Sequence, residues 1–413
     1  MQHEVVITGF GIVSSIGMNA NDFEKNLLAG VSGVREVRGS LVPDEFPVHY
    51  AAWIPRETLP ASVLFKDRDP QGVLKSWLMT EQATLQVLKS LESKDKIDAI
   101  VYGTADGASY EIVEKVLKEH LPKDFEYESV CSESSLSVIR DLLVQQKFNR
   151  IEEKDLICMN SACATGNQTL GIAYQGIQSG RWTRCLVGGV DARCEGSNFL
   201  NFFHLGALTT DDVAPEKASR PFAKDRSGFV RGEGAATLVL ESRAAAVARG
   251  AKILGVVSGY GCTSDAFRLT DGRDDGASVM QAMRMAIADA RLKPEDIDYI
   301  NAHGTSTPLN DRLETLAIKN VFGARAYQTP VSSIKSQIGH STIAASSIEA
   351  VACLIMLKRQ MISPTINYNE PDPECDLDYV PNVSRAASIT HILSNSFGFG
   401  GQNTCLVLSK EQA

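Results

Sequence analysis

The chain has 413 residues, 44% of them hydrophobic and 22% charged, enough to bury one large core or two closely packed halves. That balance excludes a disordered or fibrous chain. The net charge of −9 gives no basic excess for nucleic acid, and no apolar run nears the ~20 residues that span a bilayer.

In chain order, Met1 to Glu4 lacks the cationic start of a signal peptide, and Val5–Gly9 reads as the first strand. Leu74, Trp77, Leu78, Leu85 and Leu88 recur at helical spacing. The charge-rich stretches Lys89–Asp98 and Arg150–Asp155 read as solvated helix ends and loops. Ala99–Gly103, Asp155–Met159 and Cys185–Val190 read as further buried strands, with a helix over Gln168–Gln178 between the last two. Strands alternating with helices predict an α/β fold with substantially parallel sheets.

Past the Ala-rich helix Ser242–Gly250 the pattern starts again. Val5–Gly11 has a counterpart in Gly255–Gly261, and Asp98–Thr104 in Asp298–Thr305. The run into Cys163 is answered by Ser332–Lys335 leading to Gly339 and His340. Three matches in the same order predict a duplicated unit, with one half over 1–250 and the other over 251–413.

Nine cysteines, an odd number, occur without a C-x-x-C pair. This predicts neither a disulfide framework nor a metal site, and a reducing cytoplasm. Cys163 stands apart from the others. It lies in Asn160–Gly166 between a strand and a helix, among residues small enough for a sharp turn. A helix N-terminus favours thiolate, and its free N–H groups can hold an oxyanion. His303 follows a strand in a Gly- and Pro-containing loop, and His340 precedes a helix, the two standing at equivalent strand-to-helix junctions of the repeat. Equivalent strand ends predict that Cys163, His303 and His340 converge. His3, His49, His120, His204 and His391 have no such setting and read as structural. Gly9-Phe10-Gly11 is a broken dinucleotide fingerprint, and Phe397–Asn403 reads as a turn whose backbone approaches a substrate. Neither H-E-x-x-H nor G-x-S-x-G occurs.

These residues match a known pattern. Ile7–Gly11, Ser161–Gly166, Ser219–Phe222, Asp225–Val230, Gly232–Ala235, Asn301–Pro308, Lys335 with Gly339-His340, Asp376–Pro381 and Asn395–Gly401 resemble the beta-ketoacyl-[acyl carrier protein] synthase II group. The likeness extends to the ketosynthase subunits of type II polyketide systems and runs nearly the whole length. It implies a thiolase-like fold of two similar halves in five αβαβα layers. It also implies a homodimer, or a heterodimer with a chain-length-factor-like subunit. Cys163 would take an acyl group from the phosphopantetheine of an acyl carrier protein, and a malonyl carrier would then decarboxylate and attack it. No cofactor and no metal is implied. The resemblance assigns His303, His340 and Lys335 to catalysis, and Cys163 and Phe399 to the oxyanion hole, with Phe399 also a gate. Glu349 and Glu314 support them, and Thr305 and Thr307 bind the pantetheine arm.

Some positions depart from the family. Gly339-His340 continues as Ser341-Thr342-Ile343-Ala344-Ala345-Ser346 where housekeeping synthases typically run L-L-G-A-A-G. Gln402 replaces a usual threonine, a basic residue is absent near Gly206, and about Tyr110 to Arg150 aligns poorly. Together with Asp372–Asp376 these lean the reading towards a specialised or polyketide pathway. A non-catalytic partner subunit would lack Cys163, and a thiolase would need a second late cysteine, for which Cys405 is the only candidate.

Overall fold

The computed structural model describes residues 3–66, 73–105, 135–194, 196–268, 270 and 272–411. The first half supplies β1 (Val5–Ser14), β2 (Ala99–Gly103), β3 (Leu156–Met159), β4 (Arg184–Asp191) and β5 (Gly234–Ser242). The second half supplies β6 (Gly255–Ser264), β7 (Tyr299–Asn301), β8 (Val331–Ser332), β9 (His391–Gly398) and β10 (Gln402–Ser409). They join in one ten-stranded sheet ordered β8-β7-β9-β10-β6-β1-β5-β4-β2-β3. From the centre outward each half runs first, fifth, fourth, second, third strand, so the duplication read in the sequence is a pseudo-twofold in space. Among the described residues, three pairs, Val5–Val257, Val6–Val256 and Ile7–Gly255, join the halves of the sheet.

The helices repeat as well. α1 (Lys75–Leu88) and α2 (Ser135–Gln145) cover the outer face of the first half, with α3 (Thr165–Gln178) on its inner face. α4 (Ala277–Asp289), α5 (Pro308–Phe322) and α6 (Ala345–Arg359) are their counterparts. The pleat divides the core between these layers. In β5, Ala236, Leu238 and Leu240 face the central cluster around α3 and α6, while Ala235 and Val239 face α1 and α2. In β10, Leu406 and Leu408 point inward and Cys405 and Val407 outward. The result is the expected thiolase-like αβαβα stack. α6 is buried on all sides from Ala345 to Leu357, which explains its nearly unbroken apolar sequence.

The sheet is more mixed than the strand–helix alternation predicts. β2 pairs parallel with β3 and β4, and β7 with β8 and β9, but the first and fifth strands of each half run antiparallel. For β9 and β10 the cause is local. Three residues, Phe399 to Gly401, connect them, with Gly400 and Gly401 at φ 80° and 75°. So short a link permits only a hairpin.

The Gly-x-Gly of β1 and its repeat in β6 serve packing. A Cβ on Gly11 would lie 1.9 Å from the Ala83 carbonyl oxygen of α1, and one on Gly261 would lie 2.1 Å from that of Ala282 in α4. α3 starts at Thr165, earlier than its apolar period shows, because its first turn is built from small and polar residues. There Gly166 lies against α6, and a Cβ would fall 2.4 Å from the Ser347 nitrogen. Gly166→Ala should therefore lower stability by about 1–3 kcal/mol in urea denaturation, because backbone must move to admit the methyl. An unchanged midpoint would show that the two helices are not in fixed contact.

Candidate active site

Cys163 sits on the turn from β3 into α3. Ala162 holds φ 49°, a left-handed conformation that costs an alanine about 1 kcal/mol. The turn is tied on both sides. The Thr165 hydroxyl donates to the Ala162 carbonyl at 2.7 Å and accepts the Ser161 N–H at 2.8 Å. The Ser396 hydroxyl of β9 donates to the Cys163 carbonyl at 2.7 Å, and Gly398 packs so close that a Cβ would lie 3.2 Å from the Cys163 nitrogen.

His303 enters from the loop after β7. Two carboxylates on α5, three residues apart and so on one helix face, hold that loop. Glu314 accepts the N–H groups of His303 and Gly304, both at 2.8 Å, and the Asn395 amide at 3.0 Å. Asp311 accepts those of Thr305 at 3.0 Å and Ser306 at 3.2 Å, and of Phe222 at 2.8 Å. His340 enters from the turn before α6, where its N–H donates to the Val230 carbonyl at 2.7 Å and its carbonyl accepts from Gly232 at 3.0 Å.

These segments meet. Cys163, His303 and His340 are all buried, with the sulfur and one nitrogen of each ring within 4.8 Å of one another. The imidazoles stand edge to face at 5.3 Å, braced by Phe397 against His303 and Phe229 against His340. His303 Nδ1 and both ring nitrogens of His340 are buried without a hydrogen-bond partner. A cavity of about 300 Å³ reaches the trio, lined also by Thr305, Thr307, Glu314 and Phe399. The hydroxyls of Thr305 and Thr307 hydrogen bond to each other at 2.9 Å.

Lys335 and Glu349 do not line that cavity. They form a buried ion pair behind it, and the Lys335 ammonium also donates to the His303 carbonyl at 2.6 Å.

Burial, reinforced by the Lys335 ammonium, holds both imidazoles well below the usual histidine range, so they are neutral at pH 7. Burial pushes the Cys163 thiol up to about 11, against the pull of Lys335, the Phe399 N–H and Arg231. The resting thiolate expected from the helix N-terminus is therefore not favoured. Desolvation costs the anion more than nearby positive charge returns. A cysteine and two histidines also form a donor set for zinc, in which the sulfur would bind as the thiolate and release its proton.

Two family models match the chain: "Beta-ketoacyl synthase, N-terminal domain" over residues 156–246 and "Beta-ketoacyl synthase, C-terminal domain" over 254–369. A 3-oxoacyl-[acyl-carrier-protein] synthase 2 of Staphylococcus aureus is 36% identical over 417 residues, covering 99% of both chains. The chain belongs to the beta-ketoacyl synthase family. A protein of the same description from Synechocystis is 47% identical over 255 residues, 62% of this chain and 61% of that protein's length. Among solved structures, a type II polyketide ketosynthase in complex with its acyl-carrier protein superposes with a TM-score of 0.87 at 29% identity, covering 100% of both chains. The ishigamide ketosynthase/chain length factor superposes with 0.86 at 33%, again covering 100% of both chains.

Three positions where the chain departs from the family pattern lie near the trio. Ser346 donates to the Cys163 carbonyl at 3.3 Å, and the Thr342 hydroxyl joins a buried ion cluster of Asp191 and Arg231. Gly206 lines the cavity, and a Cβ there would meet nothing within 4 Å. Residues 106–134, which include His120 and most of the poorly aligned stretch, lie outside the described residues. Cys405 faces the outer core of the second half and hydrogen bonds to Asn395, away from the cavity lining. Sequence reasoning missed Asp311, Phe229, Phe397 and the Asp191–Arg231 pair. For Asp311 a signal existed, since its spacing from Glu314 puts both carboxylates on one face of a helix that follows the histidine loop.

Burial also raises the Glu314 carboxyl to about 7. Its oxygens face N–H donors only, so a proton gained below that pH must displace one of them. Activity should fall as pH drops through about 7, with no matching loss of fold by circular dichroism. Glu314→Gln, which places an amide donor against the same N–H groups, should be low at every pH and lack that limb. A Gln variant that keeps the wild-type profile would remove Glu314 from this role.

Proposed function

We propose that the chain is a beta-ketoacyl-[acyl carrier protein] synthase in which Cys163 is acylated and His303 and His340 stabilise the carbanion formed from malonyl carrier protein. The observation that carries this reading is the meeting of one thiol and two neutral, unpartnered imidazoles in a single buried cavity.

The chemistry follows from the protonation states. An acyl thioester entering past Thr305 and Thr307 brings its carbonyl to the Cys163 sulfur. The S–H proton leaves, by way of a neutral imidazole, for the departing pantetheine thiol. The N–H groups of Cys163 and Phe399 receive the oxyanion of the tetrahedral intermediate. The malonyl thioester then loses its carboxylate as carbon dioxide, and the electron pair moves onto the thioester oxygen. Two N–H donors at that oxygen, one from each imidazole, stabilise the enolate in a site that excludes water. Its carbon attacks the acyl-cysteine carbonyl and expels the Cys163 thiolate, which regains one proton from solvent when the product leaves. Imidazolium would serve worse, because it leaves no lone pair for the first proton transfer. In this account Lys335, paired with Glu349, acts through the His303 carbonyl to orient that loop, with Glu314 securing the same loop from the other side.

The carrier-borne substrates and the absence of a resident cofactor follow from this reading. We also infer a dimer, of two copies or with a chain-length-factor-like subunit, in line with the ishigamide pair. The halves 1–250 and 251–413 are the natural division. The departures at Ser341 to Ser346 favour a specialised or polyketide pathway. A cytoplasmic location agrees with free cysteines at all eight described positions. No described helix is long and apolar enough to cross a membrane.

Cys163→Ala should lose condensation and show no acyl adduct by intact mass after incubation with acyl carrier protein. A stable adduct on that variant would refute the assignment. His303→Ala and His340→Ala should each slow malonyl decarboxylation by about 10²–10³-fold while impairing self-acylation less. Equal damage to both half-reactions would argue against the donor role.

A further inference from the structure

Arg231 is wholly buried, at 0% exposure, and among the largest side chains so enclosed. Its Nη2 lies 3.2 Å from Asp191 Oδ1, and its Nη1 donates to the Thr342 hydroxyl at 3.2 Å. The Thr342 hydroxyl in turn donates to the other oxygen of Asp191, which also pairs with Arg193 at 2.8 Å. A buried guanidinium is costly to install, and a structural role alone would be met as well by an apolar side chain of similar volume. Its contacts lead to the site.

Three routes connect residue 231 to His340. Residue 231 lies directly beside 340 as a parallel bridge, with Val230 and Gly232 making the two backbone bonds to His340. Thr342, two residues beyond His340, stands at φ 32° and is held there by Arg231 and Asp191. The guanidinium also lies 4.8 Å over the Phe202 ring. That ring meets Phe229 at 5.5 Å and Phe399 at 6.3 Å, and Phe229 braces His340.

We propose that Arg231, locked by Asp191 and Thr342, is a positioning residue for condensation that fixes the His340 turn and the Phe202–Phe399 wall of the cavity. This deepens the function proposed above and rests on it. The charge has a second effect on the groups it faces. Lys335, Arg231 and Asp191 face both Cys163 and His340, with His303 beside them. Within that set the Arg231 cation favours the thiolate and disfavours the imidazolium, while Asp191 opposes it. The threonine at 342, where housekeeping synthases typically carry leucine, supplies the hydroxyl that couples this cluster to the histidine turn.

The test uses the intact chain and separates three steps: iodoacetamide alkylation of Cys163 against pH, self-acylation from acyl carrier protein, and decarboxylation of malonyl carrier protein. Thr342→Val keeps the shape and removes the hydroxyl. It should slow decarboxylation by about tenfold with self-acylation within about twofold. Arg231→Met should move the alkylation profile to higher pH by about one unit, whereas Arg231→Lys should keep it. Should Arg231→Met not fold, the Val and Lys variants decide. Wild-type behaviour of Thr342→Val in both half-reactions would overturn the proposal, as would equal alkaline shifts in the Lys and Met variants. A wild-type chain that neither acylates Cys163 nor decarboxylates malonyl carrier protein would instead overturn the function on which it rests.

Discussion

The close approach of α3 and α6 governs the geometry of the site. Gly166 leaves no room for a Cβ against the Ser347 nitrogen, so the two central helices touch backbone to backbone. Cys163 lies two residues before α3 and His340 five before α6. Their separation is thus set by a helix crossing in the middle layer, and not by long side chains or a mobile loop. Fixed side chains can hold a reacting atom to a fraction of an ångström, where loops cannot. The pseudo-twofold contributes the same turn twice, once carrying a sulfur and once an imidazole.

Around that crossing, charge is buried in compensated groups. Lys335 has Glu349, Arg231 has Asp191, and Glu314 and Asp311 collect backbone N–H groups. Cys163 and the two imidazoles between them remain uncharged. Unpartnered buried polar atoms cost about 1–3 kcal/mol each, and the site keeps several, on His303 and His340. A substrate oxygen would satisfy them, and an enolate would do so more strongly than the ketone-like thioester it replaces. That difference between ground state and transition state is what accelerates a reaction.

The buried pocket also explains why the thiol is held neutral. Desolvation acts on every charge in the cavity, so the same enclosure that strengthens the N–H donors penalises a resting thiolate. In the proposed reaction the helix N-terminus would then serve chiefly as a donor to the acyl carbonyl oxygen.

Much of this was legible in the sequence. Alternating strand and helix periods placed β1 to β4, and three ordered matches between Val5–Cys163 and Gly255–His340 revealed the duplication. Small residues around Cys163 marked a sharp turn, and the histidines stood at equivalent strand ends. Periodicity and local turn chemistry are properties of neighbouring residues, so one chain suffices to read them. The mixed strand directions, the Gly166–Ser347 contact, the Arg231–Asp191–Thr342 cluster and the raised thiol were decided only in three dimensions. Each depends on residues far apart in the chain. Arg231 and Thr342 are ordinary polar residues until folding removes water from both and leaves them bonded to each other, to Asp191 and to Arg193. Desolvation has no local signature, and here it sets which groups carry charge.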